Sequence, residues 1–374
     1  MNIVTRIGGL IEAFRPADGP PPQKLVAFFR WCLSGSWPML WIAGALSAIA
    51  GAMEVISALF LGWVIDAALA SGAEVFFAEQ FWLLFAFVGF YLIIRPLAFA
   101  ASAASNSIIV GPNVLPLVLS RLHRWTLGQA VTFFDTDFAG RIAQKQMQAA
   151  RAVTDVATEV INTVAFALAS VIGSVVFLTS VDYRAALALA VWLVAYVLTI
   201  RFFMPLVRVN SAARASARAM VTGQVVDTIT NIKTVKLFAH AAFEDKVALK
   251  AMQVFRDRSL EFGQISTLFR LALMTLSGLL PIMLIGGTLW LWSQGMATAG
   301  AIAAAGAISM RIAQMSGWVS FTLMSIYTAV GEVEDGMRTL SIPHTLADTP
   351  GAIDLPRVKG TVEFKDVSFA YGRK

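Results

Sequence analysis

The sequence predicts an all-α membrane protein built from six long transmembrane helices. Of its 374 residues, 57% are hydrophobic and only 14% are charged, whereas ordinary soluble domains have about half apolar and about a quarter charged residues. Long apolar stretches recur along the chain, and basic residues are concentrated in alternate connections between them. A soluble fold could not bury this much apolar surface, so a lipid-facing surface is the simplest explanation.

The predicted spans follow from the length of the apolar stretches, because a helix needs about 20 apolar residues to cross a bilayer core. The stretches are residues 38–65, 81–120, 160–181, 185–207 and 271–330. The last one contains the turn sequence Ser-Gln-Gly at 293–295. This turn divides it into two spans, which makes six.

The basic residues predict the topology. They precede span 1, lie between spans 2 and 3 and lie between spans 4 and 5, whereas connections 71–80, 180–184 and 293–300 carry few. By the positive-inside rule both termini are cytoplasmic, and we expect a multi-pass protein of the plasma membrane. The net charge of +6 is then explained by topology and anionic lipid rather than by nucleic acid. Cys32 is the single cysteine, which excludes an intrachain disulfide.

The two long basic connections have helical character. From residue 141 to 160 apolar residues recur at helical spacing, and neither proline nor glycine separates them from span 3. A helix over 141–181 would be about 60 Å long, against a hydrocarbon core of about 30 Å. Residues 184–236 show the same continuity, interrupted only by Pro205. We therefore predict two helical hairpins that extend well into the cytoplasm.

Four regions are expected along the chain. Residues 1–36 are predicted to be a cytoplasmic N-terminal segment, residues 37–340 the six-helix domain and residues 341–358 a proline-containing linker. Residues 359–374 show strand-like alternation, with Val362 and Phe364 on one face. Because one strand cannot fold alone, we expect the chain to be part of a longer protein.

Three segments resemble motifs of one family. Residues 133–141, Phe-Phe-Asp-Thr-Asp-Phe-Ala-Gly-Arg, resemble the first cytoplasmic coupling loop of ABC exporters. Residues 230–240, with Thr-Val-Lys-Leu-Phe, resemble the segment that leads into the second coupling loop, and residues 360–371 resemble the start of the nucleotide-binding domain. In this order around six spans, they identify the chain as a member of the type I ABC exporter family, a multidrug- or lipid-type half-transporter.

The resemblance implies a function. The chain would pair with a second copy or a paralogue and move an amphipathic or hydrophobic solute, of the drug or lipid class, by alternating access. ATP and Mg²⁺ would bind the full-length protein. No phosphate loop Gly-x-x-x-x-Gly-Lys-[Ser/Thr] occurs in the 374 residues, so we expect the chain alone neither to hydrolyse ATP nor to contribute catalytic or metal-binding residues.

The sequence leaves two alternative functions. One is a membrane scaffold or channel-like protein whose ATPase is absent or degenerate. The other is a helical secondary transporter, which predicts broken helices and short connections. The long uninterrupted polar helices disfavour the second.

The candidate coupling residues are carried over from the resemblance: Phe133, Phe134, Asp135, Gly140, Arg141, Lys236, Phe238 and His240. Phe133 and Phe134 either dock on the nucleotide-binding domain or pack within their own hairpin. Asp135 could cap the following helix and Gly140 could allow a close approach. Tyr371 matches the aromatic residue that stacks on adenine in the full-length protein, unless it is an ordinary core aromatic.

Ionisable residues inside apolar stretches are candidates for a translocation cavity, because charges at membrane depth usually face water or a partner. Arg311 in span 6 is the sharpest candidate, and Glu54 in span 1 lies at a similar depth and could pair with it. Arg95 and Arg201 are expected to extend towards the head groups. Met315 and Trp318 could line a hydrophobic pocket or pack between helices.

Overall fold

The computed structural model describes residues 3–135, 139–346, 351–353, 360 and 362–369. Its helices, in chain order, are α1 (Ile3–Gly8), α2 (Leu25–Cys32), α3 (Trp37–Ser71), α4 (Phe76–Glu79), α5 (Phe81–Gly89), α6 (Arg95–Ala104), α7 (Gly111–Leu127), α8 (Val131–Asp135), α9 (Ala139–Glu159), α10 (Phe166–Val181), α11 (Tyr183–Thr230), α12 (Ile232–Leu237), α13 (Ala241–Ser293) and α14 (Ala299–Leu340). Three π-helical segments join some of them: Phe90–Ile94, Ser105–Val110 and Val160–Ala165.

Six long helical units make up the fold, which confirms the all-α membrane architecture. Span 1 is α3, span 2 runs continuously over Phe81–Leu127, span 3 runs over Gly140–Val181, and spans 4 and 5 are α11 and α13; all five are long and apolar enough to cross a membrane. Span 6 is α14, which has 42 residues. Unlike the other five described spans, α14 is not apolar enough to be identified as a membrane span by length and composition alone. It is more polar because it contains Arg311 and several buried serines.

The long helices exceed the thickness of a bilayer core. The longest, α13, has 53 residues, which is about 80 Å at the usual helical rise, against about 30 Å of hydrocarbon. Two hairpins result. We call α7, α8 and α9 hairpin 1, and residues 208–268, which include α12 at the tip, hairpin 2.

Spans 2 and 3 contain the π-helical segments, and in span 2 prolines explain them. Phe90–Ile94 and Ser105–Val110 lie immediately before Arg95-Pro96 and Gly111-Pro112. Proline has no N–H to donate, and one wider turn lets the helix continue across the missing bond. The third segment, Val160–Ala165, has no proline, and its position was not predicted from the sequence.

The buried side chains form three clusters. The first packs α2 against α7, α9 and the last third of α14 and includes Phe28, Leu122 and Val153. The second joins α11, α13 and the first half of α14 around Leu189, Leu280 and Ile308. The third is small and holds Ala50, Phe166, Ala167 and Met315. Hairpin 1 is thus part of a core, and hairpin 2 lies beyond the second cluster.

Arg121 joins the N-terminal segment to hairpin 1. Its side chain is 2% exposed, and its guanidinium donates hydrogen bonds to the carbonyl oxygens of Trp31, Cys32 and Ser34. These carbonyls lie at or just after the C-terminal end of α2, where the last carbonyl groups of a helix have no N–H partner within it and favour a cation. Burial raises the pKa of the Cys32 thiol, and the neighbouring positive charge of Arg121 offsets only part of that rise, so this cysteine stays protonated.

Spans 1 and 6 approach each other closely at the end of span 1 opposite the hairpins. A Cβ atom at Gly62 would lie 2.7 Å from the carbonyl oxygen of Gly300. Beside this contact, the Asp66 carboxylate accepts hydrogen bonds from the Gly300 N–H (2.6 Å) and the Thr298 hydroxyl (2.7 Å). The carboxylate therefore caps the first turn of α14, where unpaired N–H groups favour an anion.

The strand expected within residues 359–374 is not present in the residues that the structure describes there, Gly360 and residues 362–369. Val362, Phe364 and Phe369 are between 76% and 79% exposed. An extended segment needs a neighbouring strand to pair its backbone groups, and the described part of the chain offers none.

Candidate functional site

A charged cluster brings together Glu54 of span 1, Arg95 of span 2 and Arg311 of span 6. The Glu54 carboxylate accepts a hydrogen bond from Arg95 Nη2 at 2.8 Å, and Arg311 Nε lies 3.1 Å from the other carboxylate oxygen. The Glu54 side chain is 8% exposed, whereas the arginines are 35% and 40% exposed. The structure thus brings Arg311 and Glu54 together. It also places Arg95 on Glu54 rather than at a head-group boundary.

Met315 and Trp318 lie on the same face of α14 as Arg311, as their spacing of four and seven residues requires. Met315 is 7% exposed and packs with Ala50 and Phe166 in the third cluster, so its side chain serves helix packing. Trp318 is 46% exposed and its ring meets Phe166 edge to face at 6.4 Å. Only Trp318 of this pair offers surface to a solute.

A cavity of about 580 Å³ lies between α13 and α14. Its wall combines aromatic and aliphatic side chains with a few polar groups: Phe262, Ser266, Phe269, Arg270, Leu273, Met274, Ser277, Gly278, Ala313, Gln314, Gly317, Phe321 and Met324. The Arg270 guanidinium lies 5.5 Å from the Phe321 ring centroid. Ser266 Oγ is buried without a hydrogen-bond partner among the described residues. This composition suits an amphipathic ligand.

The two candidate phenylalanines of hairpin 1 differ in burial. Phe133 is half-buried and packs against the first cluster, and Phe134 is 39% exposed and meets Phe133 edge to face at 5.2 Å. Asp135 is the exposed last residue of α8, and Arg141 is exposed near the start of α9. A Cβ atom at Gly140 would meet no described atom within 4 Å, so the close approach expected there is not seen. Residues 136–138 lie outside the described part.

The segment that follows α14 is attached to hairpin 1. The His344 ring stacks on Trp125 with centroids 3.8 Å apart, and its Nε2 lies 2.9 Å from the Trp125 carbonyl oxygen. The Ile342 carbonyl oxygen accepts hydrogen bonds from Trp125 Nε1 (3.2 Å) and Gln129 Nε2 (2.8 Å). A Cβ atom at Gly128 would lie 2.5 Å from the His344 ring, so this stack needs glycine. We call Trp125, Gly128, Gln129, Ile342 and His344 the linker contact.

Hairpin 2 exposes its apolar tip. Lys236 and His240 are exposed, Leu237 and Phe238 are 79% and 63% exposed, and the His240 N–H donates to the Val235 carbonyl oxygen at 3.1 Å. Between them Ala239 has a φ of +54°, a left-handed conformation that costs a non-glycine residue about 1 kcal/mol. The turn directs the chain from α12 into α13.

Comparison with known proteins decides the family. Residues 40–300 match the family described as ABC transporter transmembrane region, which is more than half of the chain. The chain belongs to the ABC transporter transmembrane family. It is 32% identical over 363 residues to an "Uncharacterized ABC transporter ATP-binding protein" of Haemophilus influenzae, covering 95% of this chain and 58% of that protein.

A solved structure shows the same fold. The ABC transporter chain superimposes on a bacterial Atm1-family ABC exporter with ATP bound, with a TM-score of 0.64 and 16% identity, over 88% of this chain and 56% of the other. At this identity the likeness concerns the fold, which is that of an ABC exporter half-transporter. The chain spans somewhat more than half the length of both proteins. It is a multi-pass membrane protein.

The residues expected to contact nucleotide lie at the C-terminal end of this ABC transporter chain. Tyr371, the candidate for adenine stacking, lies outside the described residues. Within the described ranges, no group of three or more His, Cys, Asp or Glu residues could hold a metal ion. No step of ATP hydrolysis is therefore assigned to the described residues.

Sequence reasoning missed two groups of residues. Nothing in the sequence indicated the linker contact, because Trp125 and His344 are 219 positions apart in the chain. The cavity gave a weak signal: Arg270 and Gln314 are polar residues at the edge of one apolar span and inside another.

Proposed function

We propose that this chain is the membrane domain of an ATP-driven exporter that moves an amphipathic or hydrophobic solute, of the drug or lipid class, by alternating access. The observation that carries the proposal is the exposed apolar surface at the hairpin tips, formed by Phe134, Leu237 and Phe238. Exposed aromatic side chains at the end of a polar hairpin serve as anchors in protein interfaces. The interface in question is that with a nucleotide-binding domain.

The long helices would transmit movement of the nucleotide-binding domain to the membrane spans. ATP and Mg²⁺ would bind the nucleotide-binding domain of the full-length protein, with Tyr371 against the adenine, and that domain would supply the free energy of hydrolysis. Asp135, Gly140, Arg141, Lys236 and His240 would surround the docked aromatic side chains. Since α11, α13 and α14 each run without a break from tip or linker into the membrane region, displacement at a tip becomes displacement of a span.

The solute would follow a path between spans of two subunits, this chain and a second copy or a paralogue. The cavity between α13 and α14 and the exposed Trp318 would receive its apolar part. Arg311 and Glu54 would form the polar region at mid-membrane. The protein would lie in the plasma membrane with both termini in the cytoplasm, as the distribution of basic residues predicts.

The test uses the full-length dimer in proteoliposomes, with ATP hydrolysis and ATP-dependent accumulation of a fluorescent amphiphilic dye measured together. Phe134→Ala should lower the dye moved per ATP by about tenfold, which corresponds to the loss of one interface anchor. Phe14→Ala, at an exposed phenylalanine outside both hairpins, is the matched control and should leave the ratio unchanged.

Two outcomes would contradict the proposal. Equal ratios for Phe134→Ala and the parent protein would exclude the docking role of that side chain. No ATP-dependent accumulation of any amphiphile in a panel that includes anionic, neutral and cationic dyes would favour the scaffold or channel-like alternative.

A further inference from the structure

The charged cluster of Glu54, Arg95 and Arg311 carries one uncompensated positive charge at membrane depth. Both ion pairs that the structure shows there end on the same carboxylate, so two guanidinium groups share one acid. Glu54 is the central residue of the 35-residue α3; with that helix centred on a hydrocarbon core of about 30 Å, Glu54 would lie about 15 Å from either surface. A head group at the bilayer surface is too far away to neutralise this charge.

The arginines also retain unused hydrogen-bond donors. Each guanidinium has five N–H groups, and the Nε atoms of Arg95 and Arg311 are both buried without a hydrogen-bond acceptor among the described residues. The 3.1 Å approach of Arg311 Nε to Glu54 is thus an ion pair without hydrogen-bond geometry. Unsatisfied donors on buried cationic atoms are costly, and an additional anion beside them would remove that cost.

The exposed part of the arginines faces a polar medium or a ligand. An uncompensated arginine directed at lipid in mid-membrane costs about 2.5–3.5 kcal/mol even on the lowest scales. We therefore expect the exposed 35% and 40% of these two side chains to face the proposed solute path rather than hydrocarbon.

An aromatic row continues from the arginines towards the hairpins. The Arg95 guanidinium lies 5.1 Å from the Phe99 ring centroid, Phe99 meets Phe166 at 6.1 Å, and Phe166 meets the exposed Trp318 at 6.4 Å. Trp318 is two helical turns from Arg311 on the same face of α14, about 10 Å along the axis. Cationic groups at one end and aromatic rings at the other match a molecule with an anionic head and an apolar body.

We infer that Arg95 and Arg311 bind the carboxylate or phosphate group of an amphipathic anion whose apolar part lies along Phe99 and Trp318, with Glu54 holding the two guanidinium groups in place. This inference rests on the proposed transport function and narrows its solute class to anions. Glu54 acts as a positioning residue, and it also repels the anion.

The test measures binding without ATP, so that it is independent of hydrolysis and transport. The full-length dimer, in nanodiscs of phosphatidylcholine, is titrated with three fluorescent probes that share a dansyl-undecanoyl body: the carboxylic acid, its uncharged amide and a quaternary amine. The parent protein should bind the acid about tenfold more tightly than the amide, the gain from a charge-assisted hydrogen bond. Repeating the titration with phosphatidylglycerol present tests whether a lipid phosphate competes for the same arginines.

Variants of the arginines and of Glu54 should change the affinity for the acid in opposite directions. Arg95→Gln and Arg311→Gln should each weaken acid binding by about tenfold and leave amide binding unchanged. Arg311→Lys should retain most of the acid preference. Glu54→Gln should increase acid affinity, because the amide oxygen can still accept a hydrogen bond from a guanidinium group while the charge that repels the anion is removed. Arg201→Gln, at an exposed arginine of span 4 outside the cluster, should leave the affinity for all three probes unchanged.

A cluster that only holds helices together predicts a different pattern. Glu54→Gln would then reduce binding of all three probes as strongly as Arg311→Gln does, and the parent protein would not prefer the acid. Either result overturns the inference. Failure of transport in proteoliposomes with the acid preference intact would instead overturn the proposed function alone.

Discussion

Hairpin 1 and hairpin 2 each join two long helices through a helix of one or two turns, α8 and α12, yet the chain covers them to different extents. In hairpin 1 the buried residues of α7 and α9, such as Leu122, Ala149 and Val153, belong to the first cluster. In hairpin 2, between residues 208 and 268, the buried residues are Ala217 and Val235. Hairpin 1 is packed by its own chain, and hairpin 2 stands free of it.

The attachments of hairpin 1 explain the difference. It contacts α2 through Arg121, the segment after α14 through the linker contact, and α14 itself through Lys145, whose ammonium lies 3.2 Å from Asp335. Hairpin 2 consists mainly of α11 and α13 packed on each other, with apolar side chains such as Ile229 and Phe243 more than 60% exposed. The described part of the chain therefore buries less of the apolar surface of hairpin 2 than of hairpin 1.

The largest expected effect concerns the packing of hairpin 1 on span 6. A Cβ atom at Gly336 would lie 2.6 Å from the Ala149 Cβ, so Gly336→Val forces α9 and α14 apart. We expect a loss of about 3 kcal/mol in the free energy of unfolding, measured by denaturant titration in detergent. Gly331→Val, where an added Cβ meets nothing within 4 Å among the described residues, is the matched control. Equal losses for both variants would show that helix propensity alone is responsible.

The second prediction compares phenylalanines from the two hairpins. Phe133→Ala should lower the free energy of unfolding by about 2 kcal/mol, less than for a fully buried phenylalanine because the ring is half-buried. Phe238→Ala should leave the unfolding midpoint unchanged, since the ring is 63% exposed, and should lower dye transport per ATP. A stability loss at Phe238 equal to that at Phe133 would show that hairpin 2 is covered by its own chain after all.

The smallest effect concerns the linker contact. Gly128→Ala should displace the His344 ring from Trp125 and cost about 1 kcal/mol, the value of an aromatic pair and a hydrogen bond. Hydrogen–deuterium exchange should then show faster exchange in peptides that cover residues 341–344. Gly140→Ala, in the same hairpin but with free space around it, should leave that exchange rate as it is. Unchanged exchange in Gly128→Ala would mean that the stack does not hold the linker.

Much of the fold could be predicted from the sequence because its signals are local. Apolar runs marked the spans, and the continuous helical pattern after residue 141 marked the long helix of span 3, which the structure confirms as Gly140–Val181. The candidate sites were harder. That Glu54 and Arg311 share a depth could be predicted, but Arg95 was expected at the head-group boundary because it lies near the end of its apolar stretch. Its position along span 2 does not show which helix lies opposite.

Sequence patterns also do not distinguish a residue that lines a binding surface from one that packs between helices. Met315 and Trp318 lie on the same face of α14, so the sequence does not distinguish them. In the structure Met315 is buried against Ala50 and Phe166, whereas Trp318 is 46% exposed. The expected strand near Val362 needs a partner strand that the described residues do not contain.

By itself, the sequence determined the all-α membrane class, the number of long helices and the family motifs, because run length, periodicity and turn chemistry depend on near neighbours in the chain. Tertiary structure alone decided that Arg95 joins Glu54, that His344 stacks on Trp125 and that one hairpin is covered and the other is exposed. These are contacts between residues from 41 to more than 200 positions apart. They depend on how six helices pack around one another, and side-chain patterns along each helix leave that arrangement open.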